Sequence, residues 1–242
     1  VYEWAWCERA QKRKDEAIKR YELLLSKYKE SPLAIKVQSE LAELNLDAGA
    51  QDEVIEKLTA TLKKTDDPAL KFELSYQLAN AYFKKRDYEQ SAPIFEALIP
   101  EAGKSPLLPS IYFQAGEARL ALTETVPARE HFLSASKVKG TPAELAESIH
   151  LRLGETQNMT GQHKEAASTY AAFLRSYPKS AWQRNARYGY AFALEKQQQY
   201  GKAIQEYQKL LPQAGQNQKM DQWMVQARYQ IGECYFNQQQ YD

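Results

Sequence analysis

The stretch LGETQNMTGQHKEAASTYAAFLRSYP, residues 153–178, contains the pattern that decides the fold. Gly154 is followed twelve residues later by Ala166, and then by Tyr170 and Phe173. The last three positions are spaced i, i+4 and i+7, so they lie on one face of a helix. A short polar turn around Gly161 separates this helix from the one that contains Gly154. The stretch therefore predicts two antiparallel helices joined by a turn.

The same pattern recurs along the whole chain. Seven small residues form a first column, at spacings of 37, 37, 37, 38, 37 and 41: Ala5, Ala42, Ala79, Gly116, Gly154, Ala191 and Gly232. Compact residues follow twelve positions later, and bulky, mostly aromatic ones sixteen later: Ala17 and Tyr21, Val54 and Leu58, Ser91 and Phe95, Ala128 and Phe132, Ala166 and Tyr170, Ala203 and Tyr207. Two helices cross closely where one presents Gly or Ala beside a bulky partner. One pair alone leaves an apolar face exposed, so the pairs are expected to stack.

Prolines mark the starts of the repeats. Six of the ten keep one period, with spacings of 36, 38, 36, 36 and 34: Pro32, Pro68, Pro106, Pro142, Pro178 and Pro212. A capping side chain precedes the proline in Ser31-Pro32, Asp67-Pro68 and Thr141-Pro142, which predicts helix N-termini. Thr141 and Glu144 also have the spacing of a capping box.

The composition excludes several classes of partner. Lys and Arg number 32 against 31 Asp and Glu, so no net field attracts nucleic acid or anionic lipid. The densest basic run, Lys12-Arg13-Lys14, is followed at once by Asp15-Glu16 and is interpreted as a solvated turn. No apolar stretch reaches the ~18 residues of a membrane span, so membrane insertion by this segment is not expected.

Residues for catalysis or metal binding are few and dispersed. Cys7 and Cys234 each lie two residues after the small column and are predicted to be buried, without a disulfide or zinc site. His131, His150 and His163 lack the i, i+4 spacing of a metal-binding helix. Neither a phosphate loop nor a nucleophile elbow is present, so the chain is predicted to be neither an enzyme nor a holder of a cofactor.

Leu153-Gly154, Gly161, Ala166, Tyr170 and Pro178 resemble the tetratricopeptide repeat. The resemblance implies an all-α, right-handed superhelical solenoid of tandem antiparallel helix pairs, with about six and a half repeats and both ends open. One solenoid is expected over 1–242, with repeats at 1–31, 32–67, 68–105, 106–141, 142–180, 181–219 and 220–242, the last incomplete.

The long period and the run Tyr177-Pro178-Lys179-Ser180 are similar to bacterial cell-envelope members of the family. This similarity favours the periplasm over the cytoplasm. The pattern departs from the family at two places. The fourth unit has no turn glycine, with Leu122-Thr123-Glu124-Thr125 in its place, and residues 213–221 lengthen the last connection.

In this family the first helices line a concave groove that holds peptides. Side chains three before, one after and four or five after the small column form the corresponding stripe. The predicted groove residues are Tyr76, Asn80, Phe83, Phe113, Glu117, Leu151, Glu155, Asn158, Tyr188, Phe192, Glu195, Tyr229, Glu233 and Phe236. An aromatic and acidic groove favours an apolar or basic protein or peptide. The Lys and Asn clamp of chaperone adaptors, which grips acidic tails, is absent from it.

Three alternatives stay open from the sequence. The stripe aromatics could simply pack between successive helices. The array could act as an assembly module that stacks on further repeats or self-associates, with Trp4 and Trp6 at one end as contacts. It could also be the non-catalytic helper segment of a larger enzyme.

Overall fold

The computed structural model describes residues 1–28, 33–47, 51–212 and 221–238. Thirteen α-helices follow one another through these ranges, and the described residues form no strand. Consecutive helices pack against one another along most of the chain. The predicted all-α fold of tandem helix pairs is confirmed. The helices divide into two compact units, residues 1–122 and 123–242.

Seven helices form the first unit. They are α1 (Tyr2–Ala10), α2 (Lys14–Lys27), α3 (Ala34–Asp47), α4 (Gln51–Leu62), α5 (Pro68–Lys84), α6 (Tyr88–Ala102) and α7 (Leu108–Ala121). The second unit contains α8 (Thr125–Ser136), α9 (Ala143–Met159), α10 (His163–Ser176), α11 (Gln183–Lys196), α12 (Tyr200–Gln208) and α13 (Gln222–Asn237). Each of the first six predicted repeat ranges contains two of these helices.

The two small columns pack on different neighbours. The first column contacts the second helix of its own repeat, as Ala79 does in a cluster with Phe95 and Leu98. The column two residues later contacts the second helix of the preceding repeat, as Ala193 does in a cluster with Tyr170. Helices α5, α9 and α11 are thus each held between two second helices, and each unit contains a series of such clusters.

The prediction that both cysteines are buried is wrong for Cys7. Cys234 is buried beside Ala203 and Tyr207 of α12, but Cys7 is exposed. Both belong to the column that packs on the preceding second helix, and no helix precedes α1 among the described residues. Among the described residues, no helix covers the face of α1 that carries Cys7.

The predicted caps have different outcomes. Asp67 caps α5 as predicted, since its carboxylate accepts the N–H of Ala69 at 2.9 Å and Pro68 follows. The capping box at Thr141 is wrong, because α9 begins one residue later than the box requires. Its N-cap is Pro142, and the Thr141 hydroxyl donates to the carbonyl of Val138 at 2.9 Å. The Ser31-Pro32 cap lies outside the described residues.

The turn within each described repeat uses one left-handed residue, seven positions after the small column. These residues are Lys12, Arg86, Thr123, Gly161 and Gln198, with φ between 59° and 75°. Only one of the five is glycine, the residue that adopts this conformation without steric cost. The fourth repeat therefore makes the same turn with Thr123 in place of glycine. The extended connection at 213–221 lies almost wholly outside the described residues.

Candidate functional site

The predicted groove residues belong to the first helices, and the structure sorts them by what they contact. In the first unit, α5 carries Tyr76, Asn80 and Phe83. The rings of Tyr76 and Phe83 pack edge-on against buried Phe95 of α6, at 6.2 and 6.4 Å between centroids. The Asn80 amide donates to the Tyr76 carbonyl at 2.9 Å. Half-buried Phe113 and Glu117 lie on α7. On α5 the two predicted aromatic anchors are therefore part of the packing.

In the second unit, Asn158 and Leu151 of α9 are used internally. The Asn158 amide donates to the Gly189 carbonyl of α11 at 2.9 Å, and its oxygen lies 3.2 Å from Nδ1 of His163. Asn158 thus links α9 to α11, the next first helix. Leu151 is 6% exposed and belongs to the core cluster around Tyr170.

Tyr188 and Glu195 of α11 surround a buried tyrosine of α12. The Tyr188 and Tyr207 rings meet at 5.4 Å, and the Tyr207 hydroxyl donates to Glu195 at 3.0 Å. Burial, followed by the nearby Glu195 charge, raises the pKa of Tyr207. Tyr207 therefore remains a protonated donor. Glu195 is 6% exposed and also pairs with Lys196, so it serves the interior of the repeat.

A further column of predicted groove residues is partly accessible. The residues one position after the small column are half-buried on every described first helix from α5 to α13: Asn80, Glu117, Glu155, Phe192 and Glu233. Phe192 lies between the His163 ring, at 6.0 Å, and the Lys196 ammonium, at 4.9 Å from its centroid. The Glu155 carboxylate pairs with Arg152 of its own helix at 2.9 Å. The charge of Glu155 is therefore balanced locally, and Phe192 is the apolar feature of this column in the second unit.

The last two groove aromatics, Tyr229 and Phe236, lie on α13 and are exposed. The corresponding residues of α5 and α11 pack within their repeats. Sequence reasoning missed Gly189, which approaches Tyr170 as closely as the column residue Gly154 does. The only signal in the sequence was that Gly189 lies two residues before Ala191 of the small column.

A cavity of about 440 Å³ lies in the first unit between α2, α3, α4 and α5. Ala42 and Leu58 line it, at positions that close the packing in other repeats. The cavity is therefore a gap within the second repeat, and it contains none of the predicted groove residues.

Two further observations concern chemistry and membranes. Among the residues whose side chains the structure describes, no three His, Cys, Asp or Glu are grouped as a metal site requires. Over the same part of the chain, no helix combines the length and hydrophobicity of a membrane span.

Models of the tetratricopeptide repeat match three parts of the chain, residues 1–31, 72–99 and 149–180. These three parts of the chain are tetratricopeptide repeats. Each matched part contains the small residue and the aromatic residue of the columns described above. The tetratricopeptide fold generally mediates protein–protein interaction, and its members are typically non-catalytic scaffolds.

Solved structures share the tetratricopeptide fold at low identity. A tetratricopeptide repeat protein from Parabacteroides merdae has a TM-score of 0.60 and 15% identity, over 99% of this chain and 86% of that one. BtubC from P. vanneervenii has a TM-score of 0.60 and 13% identity, over 89% and 98%. MamA from Desulfovibrio magneticus has a TM-score of 0.59 and 15% identity, over 74% and 94%. No curated protein matches the chain significantly.

Proposed function

We propose that this protein is a non-catalytic scaffold that binds a partner protein or peptide on the concave groove formed by its first helices. The observation that carries the proposal is the half-buried column one residue after the small residues, above all Phe192. Tyr76 and Tyr188 are half-buried as well, but each packs on a buried ring of its own repeat, whereas Phe192 lies between His163 and Lys196. The column repeats on successive first helices with part of each side chain accessible. Within the second unit, such a column can follow a ligand from one first helix to the next, and it requires no cofactor.

Phe192 supplies the apolar anchor in this account. Aromatic side chains contribute strongly to interfaces because they bury a large area at small entropic cost. The ring is fixed between His163 and Lys196, so little order is lost when a ligand covers it. Since Glu155 is paired with Arg152, an apolar segment suits this part of the groove better than a strongly basic one.

Affinity capture with the wild type, Phe192→Ala and Val126→Ala tests the proposal. Val126 is an exposed apolar residue on α8, a second helix, and makes a matched control. We expect the partner to be lost from Phe192→Ala and retained by Val126→Ala, with helicity unchanged in both. Equal capture by all three proteins would contradict a groove anchored at Phe192. Tyr188→Ala is a poorer test, because Tyr188 supports Tyr207 and Trp223.

An assembly role is the second candidate, favoured by exposed Trp4 and Trp6 on α1. It requires that the protein associate with itself or with further repeats. Analytical ultracentrifugation over a wide concentration range tests self-association, and a constant monomer mass would remove it. The third candidate, the helper segment of a larger enzyme, predicts that the groove binds a catalytic domain, which mass spectrometry of the captured partner would identify.

A further inference from the structure

The cavity in the first unit lies where the second repeat departs from the column pattern. Sixteen residues after the small column, the five other repeats that contain this position have a buried ring: Tyr21, Phe95, Phe132, Tyr170 and Tyr207. The second repeat has Leu58 there. Three residues later it has Thr61, where the other repeats have a buried apolar residue: Leu24, Leu98, Ala135, Phe173 and Leu210. Leu58 and Thr61 both line the cavity, which therefore coincides with the loss of a ring and of an apolar side chain.

The cavity has a closed apolar end and an open mouth. Four lining residues are at most 6% exposed: Ala42, Val54, Leu58 and Leu74. Glu22, Lys57 and Ala60 also line the cavity and are exposed, so the mouth lies between α2 and α4. The volume of about 440 Å³ falls within the roughly 300–1,000 Å³ of pockets that hold small molecules. An apolar cavity of only about 150 Å³ already binds a benzene ring.

Two half-buried polar side chains line the cavity at one end. Gln38 lies in the first half of α3 and Thr61 lies at the end of α4. Because the helices of a pair run antiparallel, these two residues lie at a similar height along the pair. The Thr61 hydroxyl donates to the Lys57 carbonyl at 2.8 Å, so its oxygen is left to accept a hydrogen bond. The Gln38 amide both donates and accepts. A hydroxyl group on a ligand can therefore donate to Thr61 and accept from Gln38.

We propose that this cavity binds a small neutral phenol. The ring occupies the space beside Leu58 that an aromatic side chain fills in the other repeats, and the hydroxyl bonds to Thr61 and Gln38. Tyrosine supplies three of the five rings in this column, so a phenol is a group that the column already accommodates.

The charges around the mouth favour a neutral ligand over an anion. The Glu22 carboxylate lies at the mouth, whereas the Lys57 ammonium is paired with Glu53 at 2.6 Å. A carboxylate ligand would therefore approach a negative charge. The site lies in the first unit and is separate from the groove at Phe192, so this inference goes beyond the proposed scaffold function.

Isothermal titration calorimetry with 4-propylphenol tests the proposal. We expect the wild type to bind the phenol saturably, with one site per chain. Leu58→Phe restores the ring of the other repeats and fills the cavity, so the affinity should fall about tenfold or more, with unchanged circular dichroism. The melting temperature of this variant should rise, because a filled cavity regains packing. No saturable binding up to millimolar phenol, or equal binding by Leu58→Phe, would overturn the proposal.

Leu23→Phe is the matched control for the cavity. Leu23 is 40% exposed on α2 and does not line the cavity, so this variant makes the same change outside the site. It should bind 4-propylphenol as tightly as the wild type does. An equal loss of binding in Leu23→Phe and Leu58→Phe would overturn the assignment of the phenol to the cavity.

A second variant tests the hydroxyl contact independently. Thr61→Val keeps the shape of the side chain but removes the acceptor, so the affinity for 4-propylphenol should fall about fivefold. The affinity for 4-propylanisole, whose methyl ether cannot donate, should change by less than about twofold. An equal effect on both ligands would overturn the assigned hydrogen bond. In the wild type, 4-propylbenzoate should bind more weakly than the phenol, and equal binding would overturn the preference for a neutral ligand.

Discussion

Tyr170 is held between glycines of two different helices. Its buried ring extends from α10, with Gly154 of α9 on one side and Gly189 of α11 on the other. A Cβ at Gly189 would lie 2.4 Å from Cζ of the ring, closer than the 2.8 Å at Gly154. Burial raises the pKa of Tyr170, so the residue stays neutral. The close contact between the two repeats at Tyr170 therefore requires glycine, which has no Cβ, at both positions.

Gly189→Ala is expected to lower the free energy of unfolding by about 1–3 kcal/mol, the usual cost of overpacking a core. Urea denaturation followed by circular dichroism measures this change. In a Tyr170→Leu background the ring is gone, so the cost of Gly189→Ala should fall by more than half. The same cost in both backgrounds would show that the collision does not occur.

Glycine in the repeat turn and glycine in a helix are expected to respond oppositely to alanine. Gly161 has φ +75° and open space around it, so Gly161→Ala introduces only backbone strain. This substitution should lower the free energy of unfolding by about 1 kcal/mol. Gly201 lies in α12, where a Cβ would make an ordinary contact with Gln238. Gly201→Ala should raise the free energy of unfolding by about 0.5–1 kcal/mol, because alanine has the higher helix propensity. Thermal melts compare the two, and changes of the same sign would refute the assignment of strain to the turn.

The two cysteines are expected to differ in reactivity. Burial raises the pKa of the Cys234 thiol to about 11, whereas Cys7 is exposed. At pH 8 a thiol reagent should modify one cysteine rapidly, and Cys7→Ser should abolish that fast phase. Because the folded-state pKa of Cys234 is raised, its contribution to stability is present below the ordinary thiol pKa and is lost as pH rises towards 11. Two fast thiols in the native protein would contradict the burial of Cys234.

At the scale of the helix, Asp221 fixes the start of α13. Its carboxylate accepts the Met224 N–H at 3.0 Å and pairs with Arg184 of α11, whose Nη2 lies 3.1 Å from Oδ1. The Arg184 guanidinium, with help from the Met224 N–H, holds the pKa of this carboxyl below its ordinary value. One side chain thus caps α13 and ties it to the preceding first helix.

Asp221→Ala is expected to loosen α13 and to lower the melting temperature at pH 7. Because the folded-state pKa is depressed, the stabilisation is present above the ordinary carboxyl pKa and disappears as pH falls below it. The difference from the wild type should therefore be constant above about pH 5 and shrink as the pH falls below about 4, the ordinary pKa of an aspartate. Asp67→Ala is a matched control that removes a cap from α5. A difference that is constant with pH would exclude the ion pair as its cause.

At the scale of the whole molecule, periodicity predicts the helices and their pairing. The small and aromatic columns are fixed by contacts within a repeat, and these recur in the sequence. The exposure of the predicted groove residues was less predictable, because it depends on neighbouring repeats. Glu195 is buried by Tyr207, and Asn158 is occupied by the Gly189 carbonyl. The sequence pattern includes both among the predicted groove residues, but it contains no signal of these contacts.

The central claim is that a partner lies on the groove at Phe192. Site-specific photo-crosslinking tests it most directly, with a benzophenone residue at position 192 in one protein and at position 126 in another. The benzophenone side chain keeps the aromatic ring of Phe192, and Val126 lies on α8, a second helix. We predict a discrete product, in which the partner is crosslinked to position 192 and not to position 126. An excess of wild-type protein without the benzophenone residue should reduce the amount of this product. Equal products from both positions, or none from position 192, would contradict a groove-binding scaffold.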